Sequence, residues 1–114
     1  DLMRKGERIL RDGLGGLQRL HLNGNKLSRV GAFNFSKLSN LTKLYLNNNS
    51  ISQVDTFAFA GLVNLTTLHL SNNKIGLVRA DSFGGDLPNL TELYLFYNEI
   101  GVVEHTAFRG MSNL

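Results

Sequence analysis

The chain has 114 residues, a net charge of +3, no cysteine and a single proline. This length allows one short domain, and the absence of cysteine excludes disulfides, thiolate metal sites and a cysteine nucleophile. The charge excess lies toward the N-terminus and is too small for a nucleic-acid footprint, which needs a dense basic face with stacking aromatics. No apolar run approaches the ~20 residues of a membrane-spanning helix.

One phrase returns four times after an N-terminal segment of 16 residues: LQRLHLNGNKL at Leu17, LTKLYLNNNSI at Leu41, LTTLHLSNNKI at Leu65 and LTELYLFYNEI at Leu90. The intervals between starts are 24, 24 and 25 residues. A fixed period of this size predicts a solenoid, in which each repeat forms one rung. We therefore expect a single domain over 1–114, with full repeats at 17–40, 41–64, 65–89 and 90–113.

Residues 1–16 fit the back half of a degenerate repeat, with Leu10 where later repeats carry Phe and Lys5 where they carry Val. An amphipathic capping helix is the alternative. Gly13, Gly15 and Gly16 argue against a helix that runs into the first rung.

Within each repeat, positions 1, 4, 6, 11 and 14 are aliphatic in all four copies. Positions 4 to 6 alternate apolar and polar residues, the period of a short strand with one buried face. Stacked in parallel, these strands bury their leucines only against one another. The Phe at position 19 of every repeat predicts a stacked aromatic spine. The Asn at position 9 predicts a ladder of side-chain amides that hydrogen-bond the backbone groups of the turns. The spine is Phe35, Phe59, Phe83 and Phe108, and the ladder is Asn25, Asn49, Asn73 and Asn98.

The pattern LxxLxLxxNxL, with a spaced Val and then Phe, resembles the leucine-rich-repeat family over essentially the whole chain. Its period is similar to that of the typical 24-residue extracellular subclass, as in the ectodomains of Toll-like receptors, variable lymphocyte receptors and small leucine-rich proteoglycans. The resemblance implies an α/β-type solenoid, a horseshoe fragment with a parallel β-sheet on the concave face. Irregular or short helical segments are expected on the convex face.

Positions 3, 5, 7 and 8 point away from the core and form the expected ligand-binding concave face. Position 5 alternates His and Tyr, and the fourth repeat presents three aromatic side chains together, which resembles an interface hot spot. The alternative is that Phe96 and Tyr97 pack against a further rung. The candidate ligand-binding residues are Arg19, His21, Lys43, Tyr45, Thr67, His69, Glu92, Tyr94, Phe96 and Tyr97.

No metal site, cofactor or catalytic residue is expected. His21 and His69 lie two rungs apart, ~10 Å by strand spacing, which is too far for one ion. A weak pH response of a ligand interface is a further possibility. The sequence has no phosphate-binding glycine loop, no HExxH motif and no Ser–His–acid grouping that the stack would bring together.

Sequons occur at Asn34, Asn40, Asn48, Asn64 and Asn89. Three of them recur because the repeat itself reads N-L-T, so they are not independent evidence. Together with the family resemblance they favour an extracellular or cell-surface protein that carries N-glycans. A glycan at Asn48 would obstruct the concave face.

The expected function is an extracellular protein-binding module, part of a receptor or immune-recognition protein, with a protein ligand or alternatively a glycan. Nucleic acid and direct membrane insertion are not expected. Because the chain stops at Leu114, the first position of another rung, it is interpreted as a fragment or as a chain whose uncapped ends self-associate. The alternatives are therefore a self-associating structural or adhesion array and a cytosolic scaffold.

Overall fold

The computed structural model describes residues 15–83 and 87–114. The degenerate half-repeat expected at residues 1–16, with Leu10, therefore lies outside the described residues except for Gly15 and Gly16. The described parts contain short strands and no helix. In chain order the strands are β1 Arg19–His21, β2 Arg29–Val30, β3 Lys43–Tyr45, β4 Gln53–Val54, β5 Thr67–His69, β6 Leu77–Val78, β7 Glu92–Tyr94 and β8 Val102–Val103.

The three-residue strands form one parallel sheet in the order β1-β3-β5-β7. Each spans positions 3 to 5 of a repeat phrase and is centred on its second leucine, and strands of consecutive repeats pair with one another. The central leucines stand side by side in the order Leu20, Leu44, Leu68 and Leu93. This register gives one rung per repeat and confirms the predicted solenoid with a parallel sheet.

Two smaller parallel sheets, β2-β4 and β6-β8, lie further along the rungs. Beyond them the backbone returns through turns closed by hydrogen bonds between residues three apart, such as Ala58 N–H to Asp55 O at 3.1 Å. The side opposite the main sheet is thus irregular in the described residues, rather than helical. None of the described segments is a helix that could cross a membrane.

The core lies between the main sheet and these turns. Leu44, Leu68, Phe35 and Phe59 are fully buried. The phenylalanines of the spine stack rung on rung, with centroid separations of 6.3, 5.6 and 5.8 Å from Phe35 to Phe108. Burying each such side chain stabilises the fold by about 1.5–3 kcal/mol. The regular interior is therefore the main source of stability.

Burial decreases toward both ends of the described stack. Leu20 and Leu93 are only partly buried, and Val103 and Phe108 are 51% and 37% exposed. Position 4 is thus buried in the middle rungs and partly open in both outer ones, whereas positions 14 and 19 are open in the last rung alone. The loss of burial follows from the fact that each rung is covered by its neighbours.

One glycine is required by close packing between rungs. Gly61 has φ +93°, and a Cβ there would lie 2.8 Å from the carbonyl oxygen of Ser36 in the preceding rung. Both the left-handed backbone and the contact exclude a larger residue at this point.

Arg29 and Asp55 link the first two rungs at the surface. The Arg29 Nε donates to Asp55 Oδ2 at 3.1 Å. This hydrogen bond lowers the pKa of the Asp55 carboxyl, although burial opposes the shift. Because the arginine side chain is 60% exposed, the pair contributes little to stability.

Candidate ligand-binding site

The outward residues of the main sheet form two columns. We call these two columns, together with the residues at positions 7 and 8 of each repeat, the sheet face. The backbone register aligns them across neighbouring rungs. The first column is Arg19, Lys43, Thr67 and Glu92, and the second is His21, Tyr45, His69 and Tyr94.

The rings of the second column stack on one another. His21 lies on Tyr45 with centroids 4.4 Å apart and an angle of 6° between the planes. His69 lies on Tyr94 at 4.4 Å and 19°, and Tyr45 and His69 are 6.1 Å apart and tilted by 30°. Stacking of this kind across strands stiffens the sheet. It also means that these rings cover much of one another's faces.

An aromatic cluster lies at the β7 end of the sheet face and consists of Tyr94, Phe96 and Tyr97. The ring of Phe96 meets Tyr94 edge-on at 6.3 Å and 87°, and Tyr97 at 5.4 Å and 76°. It also meets His69 at 6.1 Å and 75°. Phe96 is 52% exposed and Tyr97 is 76% exposed. The cluster is therefore internally ordered and still open to solvent.

A carboxylate is attached to this cluster. The hydroxyl of Tyr94 donates a hydrogen bond to Glu92 Oε2, and this bond raises the pKa of Tyr94. Both side chains stand on β7 and point to the same side of the sheet, because alternate residues of a strand share a face.

Position 8 of each repeat has a left-handed backbone. The φ angles are +71° at Gly24, +58° at Asn48, +56° at Asn72 and +54° at Tyr97. Glycine and asparagine adopt this conformation readily, whereas a bulky side chain adopts it at a steric cost. The first three rungs carry the residues that the turn favours, and the fourth carries a tyrosine.

Two residues expected on the exposed face are covered. The side chain of Thr67 is 6% exposed, although it belongs to the outward column, and Ser71 at position 7 is 2% exposed. Lys43 Nζ lies 3.5 Å from Thr67 Oγ1, and Ser71 Oγ lies 3.1 Å from the Nδ1 atom of His69. These small side chains sit below longer neighbours, so a ligand reaches Lys43 and His69 before it reaches them.

His69 is the partly buried ring in the middle of the sheet face. Tyr45, Tyr94 and Phe96 surround it, and Ser71 contacts its Nδ1. Burial lowers the pKa of His69, because desolvation penalises the charged imidazolium.

The Asn residues of position 9 connect rungs through their side chains. Asn73 Nδ2 donates to the carbonyls of Leu70 in its own rung and Leu46 in the preceding rung, both at 3.0 Å. Asn73 Oδ1 accepts from the N–H of Ile51 at 3.0 Å. Each amide thus satisfies backbone groups of two turns. The same pattern of contacts recurs at Asn49 and Asn98.

The recurring N-L-T sequons have a structural role that the sequence reasoning missed. Asn64 Nδ2 donates to Ser39 O at 2.9 Å, and Thr66 Oγ1 donates to Thr42 O at 3.0 Å, in both cases one rung back. The leucine between them is a core residue. The repetition of both polar residues at each repeat boundary was the sequence signal that could have revealed this role. Equivalent bonds are made by Asn40, Thr42, Asn89 and Thr91.

The other two sequons lie in different surroundings. Asn48 is exposed in the left-handed turn beside the sheet face, and Asn34 is partly buried close to Gly31. Only at Asn48 does the sequon lie next to the candidate ligand face.

A second exposed aromatic pair was not anticipated. Phe33 and Phe57 stack at 5.9 Å in the turns that follow β2 and β4, and they are 56% and 43% exposed. Both have left-handed backbones, with φ +60° and +62°. They lie outside the main sheet and are separate from the cluster at β7.

The described residues contain no group of three or more His, Asp or Glu side chains placed to hold a metal ion. His21 and His69 occupy strands separated by β3. The chemistry offered by the sheet face is therefore that of aromatic surface, a few charged groups and hydrogen-bonding side chains.

The family model described as Leucine rich repeat matches residues 15–75 and 63–114. Among solved structures, the chain is similar to the crystal structure of the TLR13–ssRNA13 complex, with 23% identity and a TM-score of 0.43. That similarity covers 85% of this chain but only 20% of the other, so the chain spans a fifth of that protein. No curated protein matches the sequence.

Proposed function

Since the chain belongs to the leucine-rich-repeat family, we propose that it recognises a protein ligand through the sheet face, as part of an extracellular receptor or immune-recognition protein. The family is one of interaction modules, and the sheet presents a rigid array of side chains that the core does not constrain. The aromatic cluster of Tyr94, Phe96 and Tyr97 is the centre of the proposed interface.

The observation that carries this proposal is Tyr97, an exposed ring in a left-handed turn at the edge of the main sheet. Phe33 and Phe57 share this backbone conformation but lie outside that sheet. The left-handed φ of +54° and the 76% exposure of Tyr97 combine a steric cost with a large unburied ring. A strained conformation persists where the surrounding structure enforces it, and such residues concentrate at functional sites. Burial of this ring by a ligand explains a tyrosine at a position where the turn favours glycine or asparagine.

The cluster also has the composition of a binding hot spot. Aromatic residues supply a large rigid contact area at low entropic cost, and hot spots are enriched in tyrosine. The perpendicular contacts of Phe96 with Tyr94 and Tyr97 hold the rings in place before a ligand arrives. Preorganisation reduces the cost of binding.

A protein ligand is favoured over single-stranded nucleic acid by the arrangement of the rings. Bases bind by stacking on free aromatic faces beside a basic groove. In the second column His21 already stacks on Tyr45, and His69 on Tyr94. Arg19 and Lys43 are the only cations in the two columns, and Glu92 opposes them at the other end. We also propose that the chain has no catalytic activity and acts by binding alone.

The extracellular location is supported by the sequons. Asn48 is exposed and, unlike the N-L-T sequons, lies outside the ladder of bonds between rungs. A glycan there would cover the sheet face beside β3, so the proposed interface is centred at the β7 end, two strands away. Endoglycosidase digestion of the natively expressed protein tests this location, because a cytosolic chain carries no N-glycan. A loss of mass on digestion supports it, and an unmodified natural protein contradicts it.

The experiment that tests the function is a comparative capture from extracellular fluid. The parent chain and a Tyr94→Ala/Phe96→Ala double variant are immobilised, and the retained proteins are identified by mass spectrometry. The proposal predicts a protein that the parent retains and the double variant does not, and that binds again after purification. Equal retention by both chains would contradict it. Loss of the captured species on nuclease treatment would replace the protein ligand with a nucleic acid.

A further inference from the structure

One negative charge is attached to the aromatic cluster. Glu92 is exposed, and the Tyr94 hydroxyl donates to its Oε2 atom. The Tyr94 ring also contacts Phe96, so Tyr94 connects the carboxylate to the exposed rings. A carboxylate attached to exposed rings is a specific chemical environment.

This charge has no cationic partner in the described part of the chain. The ion pair found between residues 15 and 114, outside the gap at 84–86, joins Arg29 to Asp55. Arg19 and Lys43 share the column of Glu92 but lie three and two strands away, ~14 and ~10 Å by strand spacing. At these distances the solvent screens their attraction for the carboxylate.

The neighbouring rings are suited to a cation. Phe96 and Tyr97 are half and three-quarters exposed, and their planes differ by 76°. Their faces therefore turn in different directions toward the solvent. The π-face of an aromatic ring attracts an ammonium or guanidinium group electrostatically. The carboxylate of Glu92, which shares one face of β7 with Tyr94, adds a direct charge interaction that an uncharged apolar ligand does not use.

We infer that Glu92, Phe96 and Tyr97 form a subsite for a cationic group, the side chain of a lysine or arginine on the protein ligand. The inference rests on the proposed function, because it specifies the chemistry of the ligand at the centre of the same interface. Tyr94 positions the carboxylate, and the two exposed rings cover the flanks of the cation.

The test uses two probes of equal shape. Choline carries a quaternary ammonium, and 3,3-dimethylbutan-1-ol carries a neutral tert-butyl group in its place. Each is titrated into the 114-residue chain, and the ring-proton resonances of Phe96 and Tyr97 are followed by NMR. The inference predicts that choline binds about fivefold more tightly than the neutral probe.

Charge-removing variants identify the source of this preference. Glu92→Gln keeps the shape of the side chain and is expected to reduce the preference for choline to less than about twofold. Glu99→Gln removes the same charge from an exposed position in the neighbouring turn and is the matched control, with the preference retained.

Equal affinity for the two probes, no shift of either ring with choline, or an unchanged preference in Glu92→Gln would each overturn the subsite. These outcomes do not decide the proposed function. A protein ligand that still requires Tyr94 and Phe96 would leave the sheet face as the interface and replace the cationic group with an apolar one.

Discussion

The backbone of Tyr97 has a φ of +54°, close to the +56° of Asn72 in the preceding rung. The two residues occupy the same position of the repeat, so the turn imposes the same conformation on both. Asparagine adopts it readily, whereas tyrosine adopts it at a steric cost. The turn therefore does not explain the tyrosine, which the proposed function assigns to ligand binding.

Replacing Tyr97 by asparagine is expected to stabilise the chain and weaken ligand binding. The substitution restores the residue type of the preceding rungs and removes a steric cost of about 1 kcal/mol. Urea unfolding followed by circular dichroism checks the first effect, and binding of the captured ligand checks the second. A variant that is less stable than the parent would mean that the tyrosine ring contributes more by packing than its backbone costs.

Asn73→Ala is expected to destabilise the array by about 2–4 kcal/mol, because it leaves buried backbone groups of two turns without partners. The Asn73 side chain donates to three carbonyls and accepts from one N–H. Asn25→Ala is the matched control, since Asn25 holds the same repeat position but is exposed. Similar unfolding midpoints for the two variants would show that the ladder does not depend on burial.

Leu70→Asp is expected to abolish the cooperative unfolding transition. Leu70 is fully buried, and an unpaired carboxylate in its place costs more than a small domain can supply. Val63→Asp places the same side chain at a position that is 47% exposed and should leave the transition in place. Thermal scans by circular dichroism compare the two. A native-like transition in Leu70→Asp would show that the rung folds without this leucine.

The free energy of unfolding should decrease as the pH is lowered from neutral to mildly acidic values, because of His69. Its pKa in the folded chain is below the ordinary 6.5, since burial disfavours the imidazolium. Between the two pKa values the unfolded chain binds the proton more readily. The stability due to neutral His69 is therefore fully present above pH 6.5 and is lost as the pH falls through the lower, folded-state value.

The His69→Phe variant separates this effect from general acid denaturation. Phenylalanine keeps the ring between Tyr45 and Tyr94 but does not titrate, so the melting temperature should vary less with pH. His105→Gln removes an exposed histidine in a turn and is the control, with the dependence retained. An identical pH profile for parent and His69→Phe would exclude His69 as its source.

The repeat period made the fold predictable. Once the phrase recurs at a constant interval, Tyr45 and His69 must be neighbours on adjacent strands, and the paired register has them so. The leucines and the spine phenylalanines follow from the same period, because each rung repeats the contacts of the one before.

The features that escaped prediction depend on side-chain detail or on backbone angles. Thr67 belongs to the outward column by period but lies beneath Lys43, because the length and direction of a neighbouring side chain decide its exposure. The left-handed turns of Phe33 and Phe57 contradict the usual preference of bulky residues, so residue type alone points away from them. The bond from Tyr94 to Glu92 joins residues two apart on one strand, a spacing shared by many pairs that make no contact.

The most direct test of the central claim is the affinity of the captured ligand for the Tyr94→Ala/Phe96→Ala variant. Phe33→Ala/Phe57→Ala is the matched control, because it removes a second exposed pair of contacting aromatic rings, which lies outside the main sheet. Circular dichroism establishes that both variants are folded. The account predicts that the first variant weakens binding at least about thirtyfold and that the control binds like the parent. Parent-like affinity in Tyr94→Ala/Phe96→Ala, or loss of binding in the control alone, would contradict it.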